Sequence, residues 1–358
     1  MSRVYNFFAG PAVLPEEVLE EARGELFDFR DSGMSIMESS HRGKEYSSVH
    51  EEATANVREL LSLSDDYAVL FLHGGASTQF PLVPMNLLAE GQTADYTDSG
   101  AWAAKAIKEA KLLGKVNIAA DTSSDTPARV PSPDELKLTP GAAYVHITSN
   151  ETISGAQWKA FPKTDAPLVA DMSSDILSRP FDAADFGLIY AGAQKNLGPA
   201  GVALVIIRKD LAERAPDNLP TMFRYKTHIE KQSLFNTPPC FAIYILMLVT
   251  RWIRKQGLQN LYRRNTEKAR KLYSAIDGSG FYRGCAATEC RSDMNVTFRL
   301  ADEEAEPRFV KEAGEQGLKG LKGHRSVGGL RASIYNAFPP EGVDALIDFM
   351  KEFEKKNG

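Results

Sequence analysis

An amine held between two buried strands can be made nucleophilic, and Lys195 is placed that way. It lies in Tyr190-Ala191-Gly192-Ala193-Gln194-Lys195-Asn196-Leu197-Gly198-Pro199-Ala200-Gly201, flanked by the apolar runs 186–190 and 201–207. Short apolar runs rich in β-branched residues and bounded by Gly and Pro favour strands. Desolvation between them disfavours the ammonium form and lowers the pKa, which suits attack on a carbonyl. A lysine in a strand-connecting turn can also snorkel to solvent, and this stretch alone does not separate the two readings. Asp171 separates them. It ends a further apolar run, 166–170, and precedes Lys195 by 24 residues. Read alone, Asp171 could cap a helix through Ser173-Ser174. With Lys195 it suits a pyridoxal phosphate site, where a lysine forms the imine and an acid keeps the pyridine nitrogen protonated.

Other polar groups sit where a ligand could use them. The strand-like run 67–72 leads into His73-Gly74-Gly75-Ala76-Ser77-Thr78 and then a helix. That order leaves free N–H groups at a helix N-terminus, where a phosphate is favoured, although an ordinary strand-to-helix turn reads the same. No G-x-G-x-x-G dinucleotide fingerprint is present. Trp102, near a helix start, is either a core anchor or a stacking face for a cofactor ring. The loop Ser40-His41-Arg42-Gly43-Lys44 reads by itself as a solvated salt-bridge loop.

The elements that must position these groups alternate. Strands at 67–72, 94–97, 142–148, 166–170, 186–190 and 201–207, with helices between, predict a mostly parallel sheet covered by helices. Sites in such sheets lie beyond the carboxyl ends of the strands, where His73, Thr148, Asp171 and Lys195 all fall. Leu14-Pro15-Glu16-Glu17 predicts a helix whose apolar spacing runs through Val18, Leu19, Ala22, Leu26 and Phe29. A second helix is expected from about Ser47 to Leu63, and residues 240–249 read as a buried helix. Residues 213–239 form a Pro-containing excursion. After residue 260 a basic helix, a half-buried strand at 294–300, a helix and a closing helix at 342–355 predict a smaller α/β domain. The expected division is a large domain at 16–258 and a small one at 1–15 with 259–358.

The chain has 358 residues, 43% hydrophobic and 25% charged, and a net charge of -5. That balance fits a globular protein of about two domains and offers no basic excess for nucleic acid. Cys240, Cys285 and Cys290 have no metal-ligand spacing and read as reduced thiols in a cytoplasmic protein. The first residues lack a signal-peptide core, and no apolar stretch is long enough to span a bilayer.

Six motifs together resemble the phosphoserine aminotransferase family, class-V pyridoxal phosphate enzymes of fold type I. They are Phe7-Phe8-Ala9-Gly10-Pro11-Ala12, Ser40-His41-Arg42-Gly43-Lys44, Asn150-Glu151-Thr152, Ala191-Gly192-Ala193-Gln194-Lys195-Asn196, Phe235-Asn236-Thr237-Pro238-Pro239 and the stretch at 322–333. The resemblance runs along essentially the whole chain, and the last two motifs are specific to that family. It implies a large domain with a seven-stranded, mostly parallel sheet and a smaller C-terminal α/β domain, in a homodimer with shared sites. It assigns Lys195 the imine, Asp171 the pyridine nitrogen, Trp102 the stacking face and Thr152 the ring hydroxyl. Ala76, Ser77 and Gln194 would hold the cofactor phosphate, joined by Asn236 and Thr237 of a partner subunit. Some members carry Gly-Arg where this chain has Ala76-Ser77, which removes a side-chain cation from that phosphate. His41, Arg42, His324 and Arg325 would gather on a substrate phosphate or on the glutamate side chain, and Arg331 would take the α-carboxylate. The implied activity is phosphoserine:2-oxoglutarate transamination in serine biosynthesis. A role for 4-phosphohydroxythreonine in vitamin B6 synthesis is left undecided. The rivals are an alanine–glyoxylate-type aminotransferase, a cysteine desulfurase and a non-catalytic phosphate-binding protein.

Overall fold

The computed structural model describes residues 3–358; Met1 and Ser2, which open the expected 1–15 segment, lie outside the described residues. The chain begins with β1 (Tyr5–Asn6), α1 (Glu16–Gly24) and α2 (Lys44–Leu60). The alternating part follows as β2 (Tyr67–His73), α3 (Ala76–Leu87), β3 (Thr93–Asp98), α4 (Ala101–Lys111), β4 (Lys115–Asp121), β5 (Val145–Thr148), β6 (Leu168–Asp171), β7 (Leu188–Gly192) and β8 (Val202–Arg208). Two short helices, α5 (Lys209–Ala212) and α6 (Tyr225–Glu230), occupy the 213–239 region and its approach, before α7 (Cys240–Gln256) and α8 (Leu258–Asp277). The chain closes with β9 (Tyr282–Gly284), β10 (Asn295–Leu300), α9 (Glu306–Glu315), β11 (Leu318–Lys319), β12 (Leu330–Ser333) and α10 (Pro340–Asn357).

Seven strands form the main sheet in the order β2-β8-β7-β6-β5-β3-β4. All neighbours are parallel except β8, which runs antiparallel to both β7 and β2. The nine residues between β7 and β8 are too few for a crossover, which takes a dozen or more, so β8 must return beside β7. Both faces of the sheet are apolar because both are covered. Val69 and Phe71 of β2 and Leu204 and Ile206 of β8 face the core that α2 and α7 complete. Leu70, Leu72, Val205 and Ile207 face the opposite core, under α3 and α4. A third core gathers Phe7 and Val13 with side chains of α8, β10, β12, α9 and α10. The first strand joins that group, since β1 pairs with β11.

Four expectations change in detail. Helix α1 stops at Gly24, so Leu26 and Phe29 lie beyond it. Phe29 reaches the core from a short turn in which Arg30 takes a left-handed φ of 50°, and Leu19 is exposed. Helix α2 runs from Lys44 rather than Ser47 and stops at Leu60. Edge strand β4 escaped the sequence reading because its half-exposed Lys-Val-Asn-Ile-Ala-Ala-Asp pattern lacks a buried run. Strand β10 is buried on both faces rather than half-buried. Its Val296, Phe298 and Leu300 enter the third core, while Asn295 and Thr297 bond to Asn150 and to the Ser154 carbonyl on the turn after β5.

Candidate active site

The parallel strands deliver their carboxyl ends to one edge, and register aligns what they carry. Thr148 of β5 lies opposite Asp171 of β6, which lies opposite Tyr190 of β7. Beyond that edge is a cavity of about 420 Å³, lined among others by Thr148, Thr152, Asp171, Gln194, Lys195 and Trp102. His73 also ends its strand here, but it is exposed and does not line the cavity.

Lys195 is buried in the turn between β7 and β8, and its Nζ donates to Thr152 Oγ1 at 2.6 Å. Burial, reinforced by the Arg331 charge, pushes its pKa down to about 8 against the pull of Asp171. The Asp171 carboxyl is raised by burial, with Ser173 and Lys195 opposing. Its Oδ1 accepts the Ser173 backbone N–H at 2.9 Å and the Ser173 hydroxyl at 2.6 Å. The capping geometry considered for Asp171 is therefore present, but locally: residues 172–178 form turns rather than a helix. The Lys195 turn is held from behind. Asn196 Oδ1 accepts the Asn336 N–H at 3.1 Å, and Asn336 bonds to the Leu177 carbonyl and to Asn265 of α8.

Trp102 sits in the first turn of α4, with Lys195 Nζ 5.5 Å from its ring centroid. Two nearby residues escaped the sequence reading. Gly100 gives α4 no side-chain cap, and Glu151 supplies the missing acceptor. Its carboxylate takes the Trp102 and Ala103 N–H groups at 3.2 and 2.9 Å. Burial raises its pKa to about 7, opposed by those two N–H groups. The available signal was an uncapped helix start and an acid in a small-residue turn elsewhere. Lys105, one turn along α4, places Nζ 4.0 Å from the Trp102 ring centroid. Nothing in its local sequence distinguishes it from other helix-surface lysines.

Ala76 and Ser77 open α3 at the mouth of the cavity, where the first N–H groups of a helix have no partner within it. Gly74, at φ 88°, must be glycine, because a Cβ there would lie 1.9 Å from Thr78 Oγ1. Arg331 of β12 reaches the Thr152 carbonyl through Nη1 at 3.2 Å, and its Nε is buried without a partner. No carboxylate pairs with it among the described residues. His324 lies close enough for the Arg331 and Lys105 charges to lower its pKa, behind the larger effect of burial. Arg325 follows it on the same exposed turn.

Seven predicted residues do not line this cavity: His324, Arg325 and Arg331, of which Arg331 lines a neighbouring hollow of about 540 Å³, and His41, Arg42, Asn236 and Thr237. His41 and Thr237 line an adjoining hollow of about 570 Å³, with Met37 and Pro238, which meets the Lys195 cavity at Ala200. Arg42 is exposed beside it in sequence, and Asn236 adjoins Thr237 without lining the Lys195 cavity. No cysteine lines that cavity either, which removes the nucleophile a desulfurase requires.

The donor set fits pyridoxal phosphate. A desolvated amine, a buried carboxylate, an indole face and an open helix N-terminus converge on a cavity of suitable size. Buried Thr148 Oγ1 and Trp102 Nε1 have no partner among the described residues, which leaves both available to a ligand.

Comparison with known proteins agrees. The aminotransferase class-V family model matches residues 4–346. A phosphoserine aminotransferase of Desulfatibacillum aliphaticivorans is 58% identical, covering 100% of this chain and 99% of its own. The solved phosphoserine aminotransferase of Bacillus circulans subsp. alkalophilus superposes with a TM-score of 0.96 at 56% identity, covering 99% of each chain. The PLP-bound phosphoserine aminotransferase of Trichomonas vaginalis gives 0.94 at 42% identity, covering 98% of this chain and 100% of that one.

Proposed function

We propose that this chain, which belongs to the class-V aminotransferases, interconverts 3-phosphohydroxypyruvate plus glutamate and O-phosphoserine plus 2-oxoglutarate by a ping-pong cycle on pyridoxal phosphate, in serine biosynthesis. The observation that carries this reading is the juxtaposition of two unlike sites. A buried amine and a buried acid face one cavity, and Arg331 bonds to the carbonyl of Thr152, which lines that cavity, while its charge acts on His324 of the neighbouring turn. The relatives' names supply the substrate class.

Bound pyridoxal phosphate supplies a carbonyl that takes up the amino group and a ring that accepts electrons. Lys195 would hold it and would move the proton at the substrate α-carbon, a task suited to an amine whose pKa burial lowers to about 8. Asp171 would keep the pyridine nitrogen protonated. Trp102 would cover one ring face, with its helix start fixed by Glu151, and Thr152 would bond the ring hydroxyl. The N–H groups of Ala76 and Ser77 and the side chain of Gln194 take the phosphate. Arg331 forks onto the α-carboxylate, and the far anion, phosphate or glutamate carboxylate, goes to His324 and Arg325.

The homodimer completes the site. His41 and Thr237 line a hollow that meets their own chain's Lys195 cavity at Ala200, with Arg42 and Asn236 next to them in sequence and Met37 and Phe235 as exposed apolar side chains. In a dimer that surface serves the partner: Asn236 and Thr237 join the cofactor phosphate, and His41 and Arg42 join the far anion. The division into 16–258 and 1–15 with 259–358 follows the separate third core, which joins the N-terminal residues to the last third of the chain. A cytoplasmic location suits the three free thiols.

Hybrid dimers test this arrangement. One chain carries Lys195→Ala; the other keeps Lys195 and carries Arg42→Ala with Asn236→Ala and Thr237→Ala. Neither homodimer has a complete site, whereas a hybrid has one, so mixing restores up to half the wild-type activity per hybrid. Hybrids shown to form yet no more active than the parents would place all these groups in a single chain.

A further inference from the structure

The turn that carries His324 is built to fix one face of its ring. Lys322 bridges Leu330, and Gly323 N–H bonds to the Gly329 carbonyl at 2.8 Å. The two limbs are so close that a Cβ on Gly323 would lie 2.0 Å from the Gly328 carbonyl oxygen. The tip is folded on itself, with the His324 carbonyl accepting from both Val327 and Gly328 N–H at 3.0 and 2.8 Å. From β10, Arg299 donates to the Val327 carbonyl while paired with Glu303 at 2.6 Å. The turn is therefore closed at its base, at its tip and from behind.

Within it, His324 Nδ1 faces Ser326. The Ser326 backbone N–H donates to Nδ1 at 3.2 Å, and the Ser326 Oγ lies 2.7 Å from the same nitrogen. A backbone N–H can only donate, so Nδ1 must offer its lone pair and the ring hydrogen must sit on Nε2. Protonating Nδ1 would set two donors against each other.

We propose that Ser326 locks His324 as the neutral Nε2–H tautomer, so that His324 reads the far anion of the substrate as an uncharged hydrogen-bond donor while positive charge comes from its neighbours. Those neighbours approach from three elements: Arg331 of β12, Lys105 of α4 and Arg325 of the turn itself. Burial and these three cations all push the His324 pKa below its ordinary value. Ser326 is a positioning residue, since its contacts are to the imidazole. The identity of the anion rests on the transaminase reading; the tautomer does not.

Two measurements test this on the full-length holoenzyme. The first is a two-bond nitrogen–proton spectrum of protein labelled with ¹⁵N-histidine, with His324 assigned among the six histidines by its loss in His324→Gln. Between about pH 6.5 and 8, around the ordinary histidine pKa, Nδ1 should show a pyridine-type shift and Nε2 a pyrrole-type shift, without titration. Added inorganic phosphate should move Nε2. An imidazolium at neutral pH, or hydrogen on Nδ1, would overturn the proposal. The second is kinetic. Ser326→Ala loses the hydroxyl but keeps the backbone N–H on Nδ1, so its Nδ1 should stay pyridine-type and its KM for phosphoserine should change by less than about threefold. His324→Gln, a neutral donor of similar reach, should retain far more kcat/KM than His324→Ala. Hydrogen on Nδ1 in Ser326→Ala, where the backbone N–H remains, would also overturn the proposal. A locked tautomer and phosphate-sensitive Nε2 in a protein that does not turn over phosphoserine would instead retire the substrate assignment alone.

Discussion

Lys195→Ala abolishes transamination, with a loss of at least about a thousandfold, the upper part of the range for removing a single proton-transfer group. Two functions disappear together, the covalent hold on the cofactor and the group that moves the α-proton. The substitution should leave folding intact, because the Lys195 turn is secured through Asn196 and Asn336 rather than through the amine. The cavity still offers Asp171, Trp102 and the α3 N-terminus, so the variant binds pyridoxal phosphate without a covalent link. In the wild type, borohydride treatment with the cofactor followed by peptide mapping places the pyridoxyl group on Lys195; finding it on another lysine would reject the assignment. The pH dependence has a definite sign. Only the neutral amine attacks a carbonyl, and burial lowers the Lys195 pKa to about 8. Near pH 8 about half the amine is therefore neutral, against roughly one part in 250 at an ordinary pKa of about 10.4. The rate of covalent capture by the cofactor-free protein climbs with pH up to about 8 and flattens above it. A climb continuing past pH 10 would mean a solvated lysine.

Arg331→Ala is expected to cost about 2–5 kcal/mol, the range for truncating one partner of a buried, hydrogen-bonded charge pair. That corresponds to roughly thirty- to several-thousandfold in kcat/KM. Every amino-acid substrate brings an α-carboxylate, so phosphoserine and glutamate suffer alike. Arg331→Lys keeps the charge but not the planar fork and recovers only part of the loss. The structure explains why this arginine should matter so much. Its guanidinium is half-buried, touches the Thr152 carbonyl and has no carboxylate partner among the described residues, which leaves it free to take an anion. A variant weakened toward phosphoserine and glutamate but unchanged in any residual reaction with alanine, which has an α-carboxylate and no far anion, would move Arg331 to the far end of the pocket.

Lys195 and Asp171 were legible in the sequence because their strands are buried on both faces. The apolar runs are then continuous, and the Gly- and Pro-bounded turns stand out between them. Other features depend on partners far along the chain. The direction of β8 follows from connection length rather than from its own residues. Strand β10 reads as half-exposed, since Asn295, Thr297 and Arg299 alternate with apolar residues, and only the turn at 150–155 buries that polar face. Glu151 acts through a helix start nearly fifty residues away, and Lys105 gains meaning only from the ring beneath it. His41 and Arg42 were assigned through family resemblance, because a local reading of that loop finds only solvated cations. That His41 shares a hollow with Thr237, rather than lining the Lys195 cavity itself, emerges only in three dimensions.

The central claim is most directly tested by the half-reaction of the wild-type protein loaded with pyridoxal phosphate, followed through the yellow absorption of the bound cofactor. Phosphoserine and glutamate, each with a far anion for the His324–Arg325 turn, should discharge that absorption. Alanine, which has none, should leave it nearly unchanged over the same interval. Phosphoserine without effect, or alanine reacting as readily, would contradict the account.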